Sequence, residues 1–373
     1  MKPRRHVLVL DNSVATTGAF LSALAMADAL RDDMEFLFVL PSRSTCHTTV
    51  LDAGYASLPL PMVEIGRSVV RVLTYLPMLL LNGCRLRLIL ARHDIDVLVA
   101  NDYFNQLPLV VRLMAWRGPT VTIVRLLPDS QVRVLNRLWL ASMRWAATVR
   151  IAVSKAVLRQ LPASLEARLV YFPVGRGIDD ADYVQPSPHT GCRFLYLANY
   201  IRGKGQDHAL EAFALVHAQQ PSATLEFVGG DMGLGKNRQY RADLAAQAAR
   251  LGISEWVTFS GSTADVATTI RVADVVLNFS RAESFSQTCA EAGHLGRPVV
   301  ATRCGGPEEI IVEGETGYLV AVGDSNAAAH AMLRLASDPS LRLALGQRAH
   351  LVTGRSLGIR QFREAMLPLL TTA

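Results

Sequence analysis

Apolar residues in this chain fall into short unbroken runs, separated by longer stretches in which they recur every three or four positions. The runs in the first half are His6–Leu10, Met34–Leu40, Val97–Ala100, Val121–Val124, Val149–Val153 and Arg168–Phe172. An apolar run without alternation predicts a strand buried on both faces, as in a parallel sheet. Ala19–Leu30 and Val132–Ala147 carry helical spacing between them. The pattern then restarts. Strands are predicted at Arg193–Leu197, Thr224–Val228, Val257–Phe259, Val275–Phe279, Val299–Thr302 and Gly317–Val320, with helices over 206–218, 238–251, 264–273 and 286–295. Two βαβ series predict two doubly wound α/β domains. The segment Gly175–Gly191 is rich in Asp, Pro and Gly and reads as a linker. The boundaries that follow are a first domain over 1–178, a linker over 179–192, a second domain over 193–354, and a terminal stretch over 355–373. Its helix, Gly358–Leu370, is free to pack back on the first domain.

Composition narrows the class. Half of the 373 residues are apolar, which excludes a disordered chain. The five cysteines have no CxxC spacing, as expected of a reducing compartment such as the cytoplasm. The run Val7–Leu10 is too short for a signal-peptide core. The most nearly membrane-like stretch, Val69 to Leu90, is interrupted by Arg71, Pro77, Arg85 and Arg87. Residues 1–185 hold 21 Lys and Arg against 15 Asp and Glu, whereas the remainder holds 17 of each. The whole net charge of +6 therefore lies in the first half, which points that half toward an anionic partner.

Candidate chemistry sits at predicted strand ends. After strand Val275–Phe279 come Glu283 and, eight positions on, Glu291. A helix is expected to open at Ser286 as N-cap, with Gln287 and Thr288 in its first turn. Free N–H groups there suit an anion such as a diphosphate. Glu291, within that helix, presents two oxygens that suit a ribose diol. Taken alone, two glutamates are equally a loop and a helix side chain in water; the surrounding turns set this pair apart. Strand Arg193–Leu197 runs into Asn199, Arg202, Lys204 and Gly205, a basic loop able to neutralise a diphosphate. Lys204 is one of only four lysines among 38 basic residues. Gly229-Gly230 makes a turn after the next strand but is not GxGxxG, which disfavours a nicotinamide site. Gly305-Gly306-Pro307-Glu308-Glu309 is a turn opening another helix. In the first domain, Gly18 stands at a helix entrance where backbone can approach a ligand closely. Asp94-Ile95-Asp96 and Asp180-Ala181-Asp182 match the Asp-x-Asp string of metal-dependent transferases, but their positions read as turn and linker.

Together Lys204-Gly205, Gly229-Gly230, Glu283 to Glu291, Gly296 to Ala301 and Gly305-Gly306 with Glu309 resemble the family-four retaining glycosyltransferases of GT-B fold. The likeness runs over nearly all the chain and is strongest over Phe194–Val320; Ala152 to Ala156 and Tyr171 to Gly175 resemble the end of the family's first domain. It implies two Rossmann-like domains facing a central crevice. Lys204 would bind the donor diphosphate and Glu283 would face the donor sugar, the two catalytic positions. Asn199, Arg202 and Gly229 would complete the donor site. Backbone at Ser286, Gln287 and Thr288 would hold phosphate, Glu291 the ribose, and Gly18 would close over the leaving diphosphate. Three positions depart from the family. Ala198-Asn199 stands where Gly-Arg is common, with Arg202 as the expected substitute; Phe285-Ser286 stands for Phe-Gly; and Arg125 stands where many members carry a reaction-centre His. Arg125 and Asn101 are the acceptor-side candidates.

The resemblance implies a retaining transfer with no metal and no cofactor, from a UDP- or GDP-sugar to a glycan or lipid-linked acceptor in envelope polysaccharide or lipopolysaccharide synthesis. Arg133, Arg137 and Arg144 share one helical face beside Trp139 and Trp145, and Arg67, Arg71, Arg85 and Arg87 border a second apolar stretch. Such surfaces suit the inner face of an anionic membrane, although a core helix with a solvated stripe reads the same way. No nucleic-acid motif occurs. Two further readings stay open: a sugar-nucleotide-binding module without turnover, and a nucleotide-sugar epimerase on the same fold.

Overall fold

In a computed structural model, the residues described are 4–62, 69–175, 178, 183, 185 and 189–371. Each apolar series folds into one wholly parallel sheet. The first consists of β1 (Arg5–Leu10), β2 (Met34–Pro41), β3 (Ala56–Leu60), β4 (Val97–Ala100), β5 (Thr120–Val124), β6 (Val149–Ala152) and β7 (Arg168–Leu169), in the order β3-β2-β1-β4-β5-β6-β7. The second consists of β8 (Arg193–Leu197), β9 (Thr224–Val228), β10 (Val257–Ser260), β11 (Val275–Asn278), β12 (Val299–Thr302) and β13 (Gly317–Val320), in the order β10-β9-β8-β11-β12-β13. Every residue of β4, β5, β11, β12 and β13 is buried, because helices cover both faces. The two-unit doubly wound α/β class expected from the apolar pattern is what forms.

The departures have local causes. β3 escapes the apolar-run rule because it is an edge strand with a half-exposed face and Pro59 inside it. β7 stops after two residues, short of Phe172. Helices Ser325–Ser337 and Pro339–Leu357 are not among the helices expected from the sequence. The interrupted stretch near Val69 is a single helix, Val69–Arg92, that runs through Pro77. It buries Leu86 and Leu90 and exposes Leu76, Leu80 and Leu88. Among the described residues no helix is long and apolar enough to cross a membrane.

The chain divides into two compact units, residues 1–176 with 359–373, and residues 177–358. The terminal helix, Ile359–Thr371, thus belongs to the first unit, and the handover falls at Gly358 rather than at 355. Phe362 is fully buried and its ring lies 5.3 Å from that of Phe172. Arg363 pairs with Asp33 at 2.8 Å and donates to the carbonyl of Ala29, at the end of helix Gly18–Leu30. Arg5 Nη1 on β1 donates to the Leu370 carbonyl at 2.9 Å. These contacts anchor the helix along its whole length. Phe362→Ala opens a cavity in a packed core, and we expect it to destabilise the first unit by about 3–5 kcal/mol. Urea denaturation should show that loss in the first unit's transition while the second unit's midpoint stays in place.

Candidate functional site

In a doubly wound sheet, ligands bind beyond the carboxyl ends of the strands, where the strand order reverses and neighbouring strands send their helices to opposite faces. In the second sheet that point lies between β8 and β11. The loop after β8 carries Lys204, and the loop after β11 carries Glu283. Lys204 Nζ lies 2.6 Å from Glu283 Oε1, so the two predicted catalytic residues form an ion pair spanning the switch point. Ser280 Oγ donates to the same carboxylate oxygen at 2.8 Å.

Backbone contacts hold the loops at this separation. The Phe279 N–H donates to the Tyr196 hydroxyl at 2.7 Å, and that hydroxyl donates to the Lys204 carbonyl. One buried phenol therefore ties both loops together, and burial pushes its pKa well above the ordinary range. Gly205 has φ +80°, and a Cβ there would lie 2.0 Å from the Phe279 carbonyl oxygen. A third loop joins from β12: the Glu283 N–H donates to Cys304 at 3.1 Å, and the Gly306 N–H donates to the Glu283 carbonyl at 2.8 Å. At Gly306 a Cβ would lie 2.2 Å from the Phe285 backbone, so close packing again demands glycine. Glu308 accepts from the Gly305 N–H at 2.8 Å and, with Glu309, opens helix Pro307–Ile310, as its position in the turn predicts.

Helix Gln287–His294 starts beside the pair. Ser286 is its N-cap residue by position, but its hydroxyl does not cap. It accepts from Asn278 Nδ2 at 2.8 Å instead, because the backbone at Ser286 is left-handed with φ +73°. Gln287 and Thr288 form the first turn and are half-buried, and Thr288 Oγ1 donates to the Leu197 carbonyl at 3.1 Å. Glu291 lies little more than one turn in and is only 6% exposed. Arg297 anchors the far end. Fully buried, it donates from Nη1 to Leu295 at 3.1 Å, from Nη2 to Arg271 at 2.6 Å and from Nε to Ala273 at 2.8 Å. It thereby satisfies carbonyls at two helix C-termini, where a cation is favoured.

Other expected donor residues are placed differently. Arg202 does not join the cluster. It pairs with Asp243 and lies over the Tyr240 ring at 4.9 Å, on helix Gly235–Arg250. Asn199 pins a turn: its Oδ1 accepts from the Gly230 N–H at 3.0 Å. Gly229 lies against Ala198, where a Cβ would meet the carbonyl oxygen at 2.0 Å. Gly18 is the exposed first residue of its helix in the first unit, behind Thr17 as N-cap. Asp94 takes a left-handed turn with φ +45°, as its turn position implies, while Asp180 and Asp182 lie outside the described residues. Tyr196, Ser280 and Asn278 were not picked out from sequence. The available signal was polar side chains at the ends of otherwise apolar strands, where a hydroxyl or amide must find a partner.

Asn101 and Arg125 of the first unit are not at a surface. Asn101 is 3% exposed and Arg125 6% exposed, which corrects their expected acceptor-side role. Arg125 Nε donates to Asn101 Oδ1 at 2.5 Å and Nη1 to Ser22 Oγ at 3.0 Å, with the guanidinium 4.2 Å over the Phe172 ring. Asn101 Nδ2 donates to Asp11. Burial pushes the Asp102 carboxyl up to about 7, against the N–H groups of Tyr103 and Arg125 and the Arg125 charge, and draws Arg125 down to about 10. Arg125 thus meets Asp102 through its backbone N–H, while its guanidinium is satisfied at Nε and Nη1 by Asn101 and Ser22.

Comparison with known proteins bears on these features. Residues 179–352 match the family model of glycosyl transferases group 1. N-acetyl-alpha-D-glucosaminyl L-malate synthase of Bacillus anthracis is 30% identical over 155 residues, 42% of this chain and 39% of that protein. The lipopolysaccharide core biosynthesis glycosyltransferase LpsE of Rhizobium meliloti (strain 1021) is 28% identical over 178 residues, 48% of this chain and 49% of its own. The chain thus covers at most about half the length of these relatives. The crystal structure of Anabaena Alr3699/HepE in complex with UDP-glucose superposes with a TM-score of 0.82 at 20% identity, covering 99% of this chain and 100% of that one. At that identity the likeness establishes the fold, the two-sheet α/β architecture of GT-B glycosyltransferases.

Two outcomes follow. Gly205→Ala forces Cβ into the Phe279 backbone at positive φ, and we expect a loss of about 3 kcal/mol or more by chemical denaturation of the second unit. Asp102 keeps its proton to higher pH folded than unfolded. Its stabilising contribution is therefore full below its ordinary 3.8 and is lost as pH rises through about 7. First-unit stability measured across that window should fall, and Asp102→Asn should flatten the profile.

Proposed function

Residues 179–352 belong to the glycosyl transferases group 1 family, and from that premise we propose that this chain is a retaining, metal-independent glycosyltransferase using a UDP- or GDP-sugar. The ion pair of Lys204 and Glu283 across the second switch point carries the reading. Free of ligand, each charge neutralises the other. An arriving diphosphate competes for Lys204, which turns to the phosphate and leaves Glu283 to accept from sugar hydroxyls. The N–H groups at the start of helix Gln287–His294 take the remaining phosphate charge. Glu291 holds the ribose. In the transfer, the bond between the sugar's anomeric carbon and the diphosphate breaks through an oxocarbenium-like state. The acceptor oxygen bonds to that carbon on the face the diphosphate leaves, and the acceptor proton passes to the departing diphosphate. Positive charge placed where the leaving group develops negative charge is the main catalytic device. No cofactor is required.

The acceptor is proposed to be a glycan or lipid-linked glycan of the cell envelope, reached from the cytoplasmic side. The similarity to LpsE, a glycosyltransferase of lipopolysaccharide core biosynthesis, supports this. In the first unit, helix Arg133–Ala146 exposes Val134, Leu138 and Trp145 in one stripe, with exposed Arg133, Arg137 and Arg144 in the next. Leu76, Leu80 and Leu88 of helix Val69–Arg92 are exposed, Leu88 one turn from exposed Arg85, whereas Arg67 and the side chain of Arg71 lie outside the described residues. An apolar stripe flanked by cations supports peripheral contact with an anionic bilayer.

Turnover of UDP- and GDP-sugars by the purified chain tests the reading. Lys204→Ala should lower kcat/KM by about 10²–10³, and Glu283→Gln should lower kcat while circular dichroism stays unchanged. If both variants transfer sugar at the wild-type rate, the site is wrongly assigned. The matching nucleoside diphosphate at 100 times its Kd should add about 2.7 kcal/mol to the stability of the second unit. Sugar inversion without acceptor would mark an epimerase, and nucleotide binding without turnover a module that has lost catalysis. Separately, vesicles containing phosphatidylglycerol should co-sediment the protein better than phosphatidylcholine vesicles, and charge reversal at Arg133, Arg137 and Arg144 should abolish the difference.

A further inference from the structure

A diphosphate entering the gap between β8 and β11 meets a shortage of positive charge. The Lys204–Glu283 pair is neutral as a unit, and Glu291 stands on the helix beside it. A nucleoside diphosphate carries negative charge on each of its phosphates. Lys204, contested by Glu283, matches only part of that, and a partly buried anion is costly unless it is paired.

Three loops meet at the reversal, those after β8, β11 and β12, and besides Lys204 they carry three cations: Arg202, Arg281 and Arg303. Two of these are spent. Arg202 pairs with Asp243, and Arg303 pairs with Glu313 at 3.1 Å. Arg281 is exposed, and its guanidinium has no hydrogen bond or ion pair among the described residues. Its backbone, in contrast, is fixed. The Arg281 N–H donates at 2.9 Å to the carbonyl of Gly203, the neighbour of Lys204. On the preceding residue, the Ser280 carbonyl accepts from Thr302 Oγ1 at 2.5 Å, and the Ser280 N–H donates to Asn278 Oδ1 at 3.2 Å. Two residues on, the Glu283 backbone is tied to Cys304 and Gly306. The main chain at Arg281 is therefore braced against the loops from β8 and β12, while its long cationic side chain is left over. An unpaired arginine at a surface is ordinary. This one is pinned beside the pair that would receive the anion, and a guanidinium fork fits phosphate oxygens two at a time.

We infer that Arg281 is the second cation of the donor site and takes the phosphate next to the transferred sugar. This rests on the transferase reading and adds a residue to it. The choice of phosphate follows from the order of residues along the loop and helix. Arg281 shares the β11 loop with Glu283, which faces the sugar in that reading, whereas Glu291, which holds the ribose, lies farther on in the helix. The phosphate nearer the sugar is thus the one nearer the Arg281 loop. When the bond from the anomeric carbon to that phosphate's oxygen breaks, the electron pair stays on the oxygen, and a positive charge already in place there lowers the barrier.

The test is calorimetric binding to the full chain of UDP and GDP, compared with UMP and GMP, which lack the phosphate in question. Arg281→Ala should weaken the preferred diphosphate about ten- to a hundred-fold, while the matching monophosphate stays close to its wild-type affinity. Arg281→Lys keeps the charge without the fork and should recover part of the loss. Arg303→Ala, which removes an arginine already spent at the same reversal, should leave both affinities in place, and thermal melts should confirm that all three variants fold. In turnover, Arg281→Ala should lower kcat as well as raise KM, because the charge acts on the leaving oxygen. An equal loss of diphosphate and monophosphate in Arg281→Ala would overturn the inference, as would an equal loss in Arg303→Ala, the mark of a general field rather than a contact. A wild-type preference for diphosphate that survives in Arg281→Ala removes Arg281 from the site and leaves the donor reading standing. A wild-type chain that binds no nucleoside diphosphate overturns that reading and this inference with it.

Discussion

Two neighbouring parallel strands that send their helices to opposite faces leave a gap that their own sheet does not fill. Everything chemical in the second unit depends on how that gap between β8 and β11 is held open at one width. The Tyr196 hydroxyl sets the width, accepting from one loop and donating to the other. With the loops tied there, Lys204 and Glu283 meet at 2.6 Å. Gly205 and Gly306 are consequences of the same closeness, because neither loop has room for a Cβ at those points. Arg297 supports the arrangement from behind by satisfying the C-terminal carbonyls of the helix whose N-terminus lies beside the pair. Motif residues that look alike in a row are therefore of two kinds, those exposed to the gap and those that brace it.

The first sheet reverses its strand order between β1 and β4, and its switch point differs from that of the second in electrostatics. The second is charged and suits an anion; the charges near the first are withdrawn into a buried network around Arg125. A buried guanidinium loses solvation; here Asn101 and Ser22 accept from Nε and Nη1, the Phe172 ring lies over its face, and Nη2 has no hydrogen-bond partner among the described residues. The arginine surplus of the first half is correspondingly less external than its count implies. Arg125 adds nothing to the surface field, whereas Arg133, Arg137 and Arg144 stand exposed beside apolar side chains. An anionic partner would meet exposed arginines such as these and not Arg125.

The sequence by itself determined the architecture and the placing of Lys204 and Glu283 at neighbouring strand ends. Unbroken apolar runs specify strands buried on both faces, and they appear within a residue or two of where β1, β4, β8, β9, β12 and β13 form. The edge strand β3 was hidden because half-exposed strands lack that pattern. Lys204, Glu283, Gln287 and Thr288 were legible because strand ends and glycine turns are local signals. The tertiary structure alone decided the rest. It turned Arg202 toward Asp243, withdrew Arg125 and Asn101 into the core, and recruited Tyr196 as the tie between loops. The reason is physical. A backbone pattern is set by neighbours in sequence, whereas the partner of a long polar side chain is set by whichever group, distant in the chain, the fold brings within hydrogen-bonding reach.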